Sequence, residues 1–210
     1  MSTGTRIPLE MARTAAGYML HCWGADAGDA TIVGSARRGR PDVGDIEVCV
    51  PVEPPDQDQL FQAMHACVHQ QDGLWAPSSD LPPLTIVQGL KPGFKQARVV
   101  AHVIYQGQPF DLPVEIYRFE PGARGWALIM RTGPAEFGRW FLSRWKRHFG
   151  TPQEKPASVE GFLVDSYGAR VPIDDEEECF RRIGIGYVRP EQRDEFARRV
   201  MEARASGGIP

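Results

Sequence analysis

The stretch Asp45-Ile46-Glu47-Val48-Cys49-Val50 alternates acidic with apolar residues at its start. Successive side chains of a strand point to opposite faces, so Ile46, Val48 and Val50 share one face while Asp45 and Glu47 share the other. The acidic face needs an account, because two neighbouring carboxylates repel. For the pair alone, a solvated strand face is the commoner explanation. A divalent cation is the alternative: Mg²⁺ is hard, takes oxygen ligands and leaves room for substrate phosphates. Two such ions about 4 Å apart activate an attacking hydroxyl and stabilise the leaving oxygen of an in-line displacement.

Upstream, the β-rich run Thr31-Ile32-Val33 stops at Gly34-Ser35. Glycine lets a backbone approach an anion closely, and a serine hydroxyl with exposed N–H groups can hold a phosphate. Arg37, Arg38 and Arg40 follow and bring the charge a triphosphate requires. A third acid, Glu115 in Leu112-Pro113-Val114-Glu115-Ile116, lies in a later strand pattern with apolar neighbours. By itself it reads equally as an edge-strand surface residue.

The rest of the chain reads as α/β (α+β). Pro8 fits the first turn of a helix whose apolar stripe is Leu9, Ala12, Ala16 and Leu20. Pro54-Pro55-Asp56 introduces a helix near residues 56–70, and the prolines and glycines of residues 72–96 read as a long, largely irregular connection. Strand patterns at 98–105 and 112–119 form a hairpin turning at 106–108. After Pro121-Gly122 the texture changes: a short apolar segment at 126–130, a stop at Thr132-Gly133-Pro134, and an amphipathic helix to Phe149. A linker-like loop at 150–160, two short strands at 161–165 and 170–172, and a helix at 175–183 complete a small second domain. The expected division is 1–121 and 122–210.

Composition narrows the classes. Hydrophobic residues make up 42% and charged residues 24%, enough to build a core without disulfides. No apolar run reaches the length of a membrane span and the N-terminus does not read as a signal peptide, so a cytoplasmic protein with no membrane partner is expected. Cys22, Cys49, Cys67 and Cys179 lack CxxC spacing and read as reduced thiols. A net charge of -3 excludes a polycation that coats nucleic acid, though not a nucleic-acid enzyme. Residues 131–149 are locally basic, with Arg131, Arg139 and Arg144 as candidate DNA contacts among Phe137, Trp140, Phe141 and Trp145. The same helix equally buries its aromatics and solvates its arginines. Lys91, Lys95 and Arg98 are weaker candidates for primer or template. His65-x-Cys67-x-His69 places two histidines on one helical face but points Cys67 elsewhere, which speaks against zinc. The acidic run 174–178 reads as favourable charge at a helix N-terminus.

Gly34-Ser35-x-Arg37-Arg38-Gly39 followed by Gly44-Asp45-x-Glu47 resembles the nucleotidyltransferase signature of the DNA polymerase X family, the polymerase beta relatives. Arg6-Ile7-Pro8 looks like the start of that family's catalytic palm, and Val114-Glu115-Ile116 sits where its third carboxylate falls. Thr132-Gly133-Pro134 is similar to its post-palm Thr-Gly element, and Tyr167 to Pro190 looks like its C-terminal tail. The resemblance implies a palm with a mixed β-sheet and flanking helices plus a small C-terminal α/β thumb-like domain. It implies that Asp45 and Glu47 bridge two Mg²⁺ ions, and that Glu115 completes the catalytic metal site and assists deprotonation of the 3′-hydroxyl. Ser35 and Arg38 would bind the β- and γ-phosphates, with Gly34 in the same turn, Gly44 adding a backbone N–H and Arg6 a further triphosphate contact. Gly133 would let the backbone approach the nucleotide sugar.

The chain also departs from the family. Glu stands at two of three metal positions where Asp is usual, which makes Mn²⁺ an alternative ion. Met130-Arg131 replaces an aromatic pair, and Ala135, Gly138 and Leu142 offer no side-chain hydrogen bonds near the base-pair position. The lyase and helix-hairpin-helix modules are missing, so no deoxyribose-phosphate lyase activity is expected. The expected function is metal-dependent addition of dNMP to a primer 3′-hydroxyl with pyrophosphate release, in gap-filling repair. Two alternatives stand beside it: a template-independent nucleotidyltransferase on nucleic acid, protein or a small molecule, and a non-catalytic DNA-binding module.

Overall fold

The computed structural model describes residues 6–22, 30–52, 84–92, 96–105 and 108–207. The chain divides into two compact units, Met1–Ala36 with Arg40–Arg118, and Arg37–Gly39 with Phe119–Pro210. The described residues form a mixed α/β protein with several sheets, none of them closed into a barrel.

In the first unit, β1 (Ile7–Pro8) leads directly into α1 (Leu9–Cys22). The helix starts where a proline costs no hydrogen bond, and Glu10 in its first turn complements the positive end of the dipole. Met11, Ala12, Ala15, Ala16 and Met19 are buried at spacings of three and four, which gives the helix one apolar face. That face shares a core with Ile46, Val48 and Val50 and with Leu112, Val114 and Ile116. The elements that follow are β2 (Thr31–Ile32), α2 (Gly34–Arg37), β3 (Asp42–Val43) and β4 (Ile46–Pro51). Then come β5 (Leu84–Pro92), β6 (Gln96–Tyr105) and β7 (Gln108–Phe119). β1 and β3 pair antiparallel, Ile7 opposite Val43. The main sheet has five strands in the order β2-β4-β7-β6-β5.

The hairpin read from the sequence is β6 and β7, paired antiparallel from Gln96↔Tyr117 to Tyr105↔Gln108. Residues 106–107 at its turn lie outside the described residues. The irregular connection read over 72–96 is different: 84–92 is a strand, paired antiparallel with β6 through register shifts at Ile86/Gln88 and Gly89/Lys91. β5 ends the strand order, and an edge tolerates the irregularities and the terminal Pro92 that a central strand would not. The helix expected at 56–70, with His65, Cys67 and His69, lies outside the described residues. Asp45 falls in a bend just before β4 rather than inside the strand. β7 lies between β4 and β6, so Glu115 is not on an edge.

The second unit contains α3 (Arg124–Thr132), α4 (Ala135–Phe149), α5 (Glu176–Arg182) and α6 (Arg193–Ala205). β8 (Ser158–Val159), β9 (Phe162–Val164) and β10 (Arg170–Val171) form a small sheet in the order β10-β9-β8, antiparallel at both pairings. Residues 126–130 are therefore part of a helix, and the stretch read as a loop at 150–160 contributes a strand. Thr132-Gly133-Pro134 does separate two helices, with Pro134 as the N-cap of α4.

The aromatics of α4 decide the structure of this unit. Phe137, Phe141 and Trp145 are fully buried and Trp140 nearly so, in one core with Trp126, Ile129, Phe180, Ala197 and Val200. Their rings meet at centroid distances such as 5.6 Å for Trp126–Phe141 and 5.3 Å for Phe141–Phe180, the separations expected of packed aromatics. Trp145 Nε1 donates to the Val164 carbonyl at 2.7 Å, which satisfies a polar group that burial would otherwise penalise. These four side chains are core, which leaves the polar residues of α4, its arginines among them, for solvent or a partner. No helix among the described residues is long and apolar enough to cross a membrane.

Candidate functional site

The site begins with a chain reversal in the first unit. β2 runs antiparallel to β4, with Thr31 opposite Cys49 and Ile32 opposite Val48. The Val33 N–H then donates to the Glu47 carbonyl at 2.8 Å. This pairing brings Gly34 against the Glu47 side chain. Gly34 has φ +65°, in the left-handed region, and a Cβ built there would overlap Glu47 Oε2. The left-handed φ favours glycine, and the missing Cβ leaves the place that the Glu47 carboxylate occupies.

That match predicts a measurable cost. Gly34→Ala is expected to lose about 1–2 kcal/mol of folding stability through left-handed strain, and its methyl group displaces the flexible end of the Glu47 side chain. Gly44→Ala is the control, since nothing lies within 4 Å of a Cβ at Gly44. It is expected to stay within about 0.5 kcal/mol of wild type. Urea unfolding of both variants checks this, and equal stabilities would remove the steric argument.

Glu47 and Glu115 lie on one face of the sheet. Ile46 and Val48 flank Glu47 and enter the core under α1, as do Val114 and Ile116, which flank Glu115. Alternation therefore turns both acids to the opposite face, on strands that are direct neighbours. Both are half-buried, as is Asp45 at the head of β4. Glu115 accepts a short hydrogen bond from the Tyr117 hydroxyl, two residues along the same face. Its other oxygen lies 3.6 Å from Arg98 Nε, directly across the β6–β7 ladder. Arg98, read from the sequence as a primer contact, is thus also the counterion of the third acid. Lys91 is opposite Arg98 in the β5–β6 register, and Lys95 lies outside the described residues.

Three carboxylates with no thiol or imidazole among them make a donor set suited to a hard cation such as Mg²⁺. Among the described residues no three His, Cys, Asp or Glu side chains are gathered to hold an ion. Arg98 and Tyr117 already compensate the Glu115 charge, so a cation would compete with them for the same oxygens.

The remaining candidates are distributed over both units. Ser35 is half-buried in α2, and its carbonyl accepts from the Arg40 N–H at 3.1 Å. Arg6 is exposed and donates from Nη1 to the Asp42 carbonyl at 3.2 Å. Arg37 and Arg38 are members of the second unit. Arg38 donates from Nε to Asp194 at 3.1 Å and from Nη1 to the Thr132 carbonyl at 2.7 Å. Gly133 belongs to the same unit, and a Cβ there would meet the Phe137 ring at 2.6 Å, so packing alone already requires glycine. Arg131 is half-buried with partners of its own, and Arg139 is exposed and paired with Glu136 at 2.6 Å. Arg144 is half-buried beside a surface cleft.

One charged centre escaped the sequence reading. Glu176 is buried, and Arg37 grips it with both Nη atoms, at 3.1 Å on Oε1 and 2.7 Å on Oε2. Arg193, wholly buried, donates to Oε1 at 2.8 Å, and the Tyr187 hydroxyl donates to Oε2 at 2.9 Å. Burial works against the Glu176 charge, yet the hydrogen bonds and charges of Arg37 and Arg193 outweigh it and hold the carboxyl below its ordinary range. Burial and then the Glu176 charge push the Tyr187 hydroxyl up to about 12. Only the acidic run 174–178 hinted at this centre. Within that run Asp175 caps α5 by accepting from the Glu177 and Glu178 N–H groups, while Glu176 turns inward.

Compared with known proteins, the chain matches no family model, and no curated protein sequence matches it.

Proposed function

We propose that this chain is a metal-dependent nucleotidyltransferase of the polymerase X type, adding dNMP to a DNA primer 3′-hydroxyl with release of pyrophosphate. The observation that carries the reading is the contact between Gly34 and Glu47, with Glu115 on the same face of the adjacent strand. A Gly-Ser turn that ends against a carboxylate face is the arrangement a triphosphate and its cations need. The first unit is the palm in this reading, and the second is the thumb-like domain.

Asp45, Glu47 and Glu115 would hold two Mg²⁺ ions, or Mn²⁺ in their place. The ions would supply Lewis-acid stabilisation of the pentavalent phosphorus and lower the pKa of the 3′-hydroxyl. The protein's own part is positioning and charge. The Gly34-Ser35 turn brings backbone close to where phosphate oxygens rest, and Arg6 lies on β3's carbonyl within the same unit. Arg98 orients Glu115 from across the ladder, and the Ile46, Val48 and Val50 face anchors β4 so that its acids are fixed. Such a protein works in the cytoplasm on DNA gaps.

The test is extension of a labelled primer, alone and annealed across a one-nucleotide gap, with each dNTP and rNTP offered singly under Mg²⁺ or Mn²⁺. Extension only by the complementary dNTP is expected. Addition regardless of template would replace the polymerase with a template-independent transferase, and DNA binding without turnover would leave a binding module.

A further inference from the structure

A cleft of about 310 Å³ opens in the second unit, lined by Trp140, Ser143, Arg144, Arg147, Gln153 and Arg204. Three of its six lining residues are arginines and none is acidic. Arg144 and Arg147 project from the later turns of α4, and Arg204 from the last turn of α6. The two helices are brought together by their buried faces: Trp140 and Phe196 meet edge-on with centroids 4.5 Å apart, and Ala197 and Val200 enter the same core. Apolar packing below therefore brings the three arginines to one cleft.

Elsewhere in this unit arginines are matched to carboxylates, Arg139 to Glu136, Arg182 to Glu178 and Arg198 to Glu195. Among the described residues the guanidinium groups of Arg144, Arg147 and Arg204 have no ion-pair or hydrogen-bond partner. The nearby Lys146 is spent on the Gln153 carbonyl, at 2.8 Å, which fixes one wall of the cleft. A helix C-terminus favours a basic residue, and that accounts for Arg147 or Arg204 taken singly. It does not account for three arginines lining one cleft that has no acidic residue, a lining that suits an anion.

We propose that this cleft binds phosphate. Guanidinium forks match phosphate oxygens two at a time, and Ser143 and Gln153 add neutral hydrogen-bonding groups at the rim. Trp140 is too deeply buried for a base to stack on it, so the site reads phosphate and not base identity. The phosphate comes either from the backbone of a nucleic-acid strand or from a soluble polyphosphate. The inference stands on this unit alone and does not require the nucleotidyl-transfer reading.

The experiment titrates the full-length protein with two probes: a fluorescein-labelled 20-nucleotide single-stranded DNA followed by anisotropy, and inorganic tripolyphosphate followed by calorimetry. Arg144→Gln, Arg204→Gln and the double variant are compared with Arg199→Gln, whose arginine is exposed and paired with Glu195. Each cleft substitution is expected to weaken binding by roughly tenfold, while Arg199→Gln leaves it unchanged. For the strand, the slope of log K against log salt also falls by about 0.7 per arginine removed. Binding of DNA alone assigns the strand, and binding of tripolyphosphate alone assigns the soluble anion. Added tripolyphosphate should raise the melting temperature of wild type and not of the double variant if the second holds, which separates lost binding from lost folding. Failure of wild type to bind either probe overturns the proposal, and so does equal affinity in wild type and the double variant.

Discussion

Asp45→Asn is expected to reduce primer extension by about a thousandfold or more without moving the urea midpoint. Asparagine keeps the size and shape of aspartate but removes the charge that a cation needs, and charge neutralisation is the main work of phosphoryl-transfer sites. The position favours a clean result. Asp45 is half-buried in the bend before β4, while the stability of that strand rests on Ile46, Val48 and Val50 in the core beneath. Two readouts are needed, single-turnover extension and Mn²⁺ affinity by electron paramagnetic resonance, and both should fall together. Undiminished extension by the Asn variant would sink the assignment of Asp45, Glu47 and Glu115 as metal ligands.

Glu176→Gln is expected to cost about 3–5 kcal/mol of folding free energy at neutral pH. The substitution leaves Arg193, fully buried among the rings of Phe137, Phe180 and Tyr187, without its counterion. The guanidinium lies 5.1 Å from the Phe137 ring centre, but cation–π attraction replaces only part of an ion pair. Arg193 already has one buried Nη1 with no hydrogen-bond partner, so little reserve remains. Glu202→Gln, at an exposed position of α6, is the control and should stay within about 0.5 kcal/mol.

The same network sets a pH dependence. The folded-state carboxyl of Glu176 titrates below its unfolded value of 4.5, so its stabilisation is complete above that value. It is lost as pH falls from 4.5 down through the depressed folded value, when protonation breaks the link to Arg37 and Arg193. Wild type should therefore lose stability in acid more steeply than Glu176→Gln. Parallel pH profiles for the two proteins would show that the Glu176 carboxyl is not depressed by folding.

The elements visible in the sequence are those specified by local pattern. The apolar positions of α1, the alternation of β4 and the aromatic stripe of α4 each satisfy a helical or strand period within a few residues, and each element forms where that period runs. The separation of α3 from α4 follows from Gly133-Pro134, which cannot continue a helix. β5 was obscured because Gly89 and Pro92 suggest a loop, and only pairing with β6 at the sheet edge makes a strand of it. α6 was missed because most of its side chains are charged. Its signal was the set of Arg and Glu residues three and four apart around Phe196, Ala197 and Val200.

The candidate site divides in the same way. From sequence alone come the alternation that puts Glu47 on the face opposite Ile46 and Val48, the glycine that opens the turn, and the acid of a later strand. The tertiary structure decided that β4 and β7 are neighbours, that Gly34 abuts the Glu47 carboxylate, and that Glu115 is matched to Arg98 and Tyr117. It also decided that Arg37 is bound to Glu176, 139 residues away, although its place in an arginine-rich turn suggested a phosphate ligand. The physical reason is range. Side-chain periodicity is set by backbone geometry over a handful of residues and is written in the order of the chain, whereas a charge takes whichever partner packing brings within about 3 Å, and the order of the chain does not carry that distance.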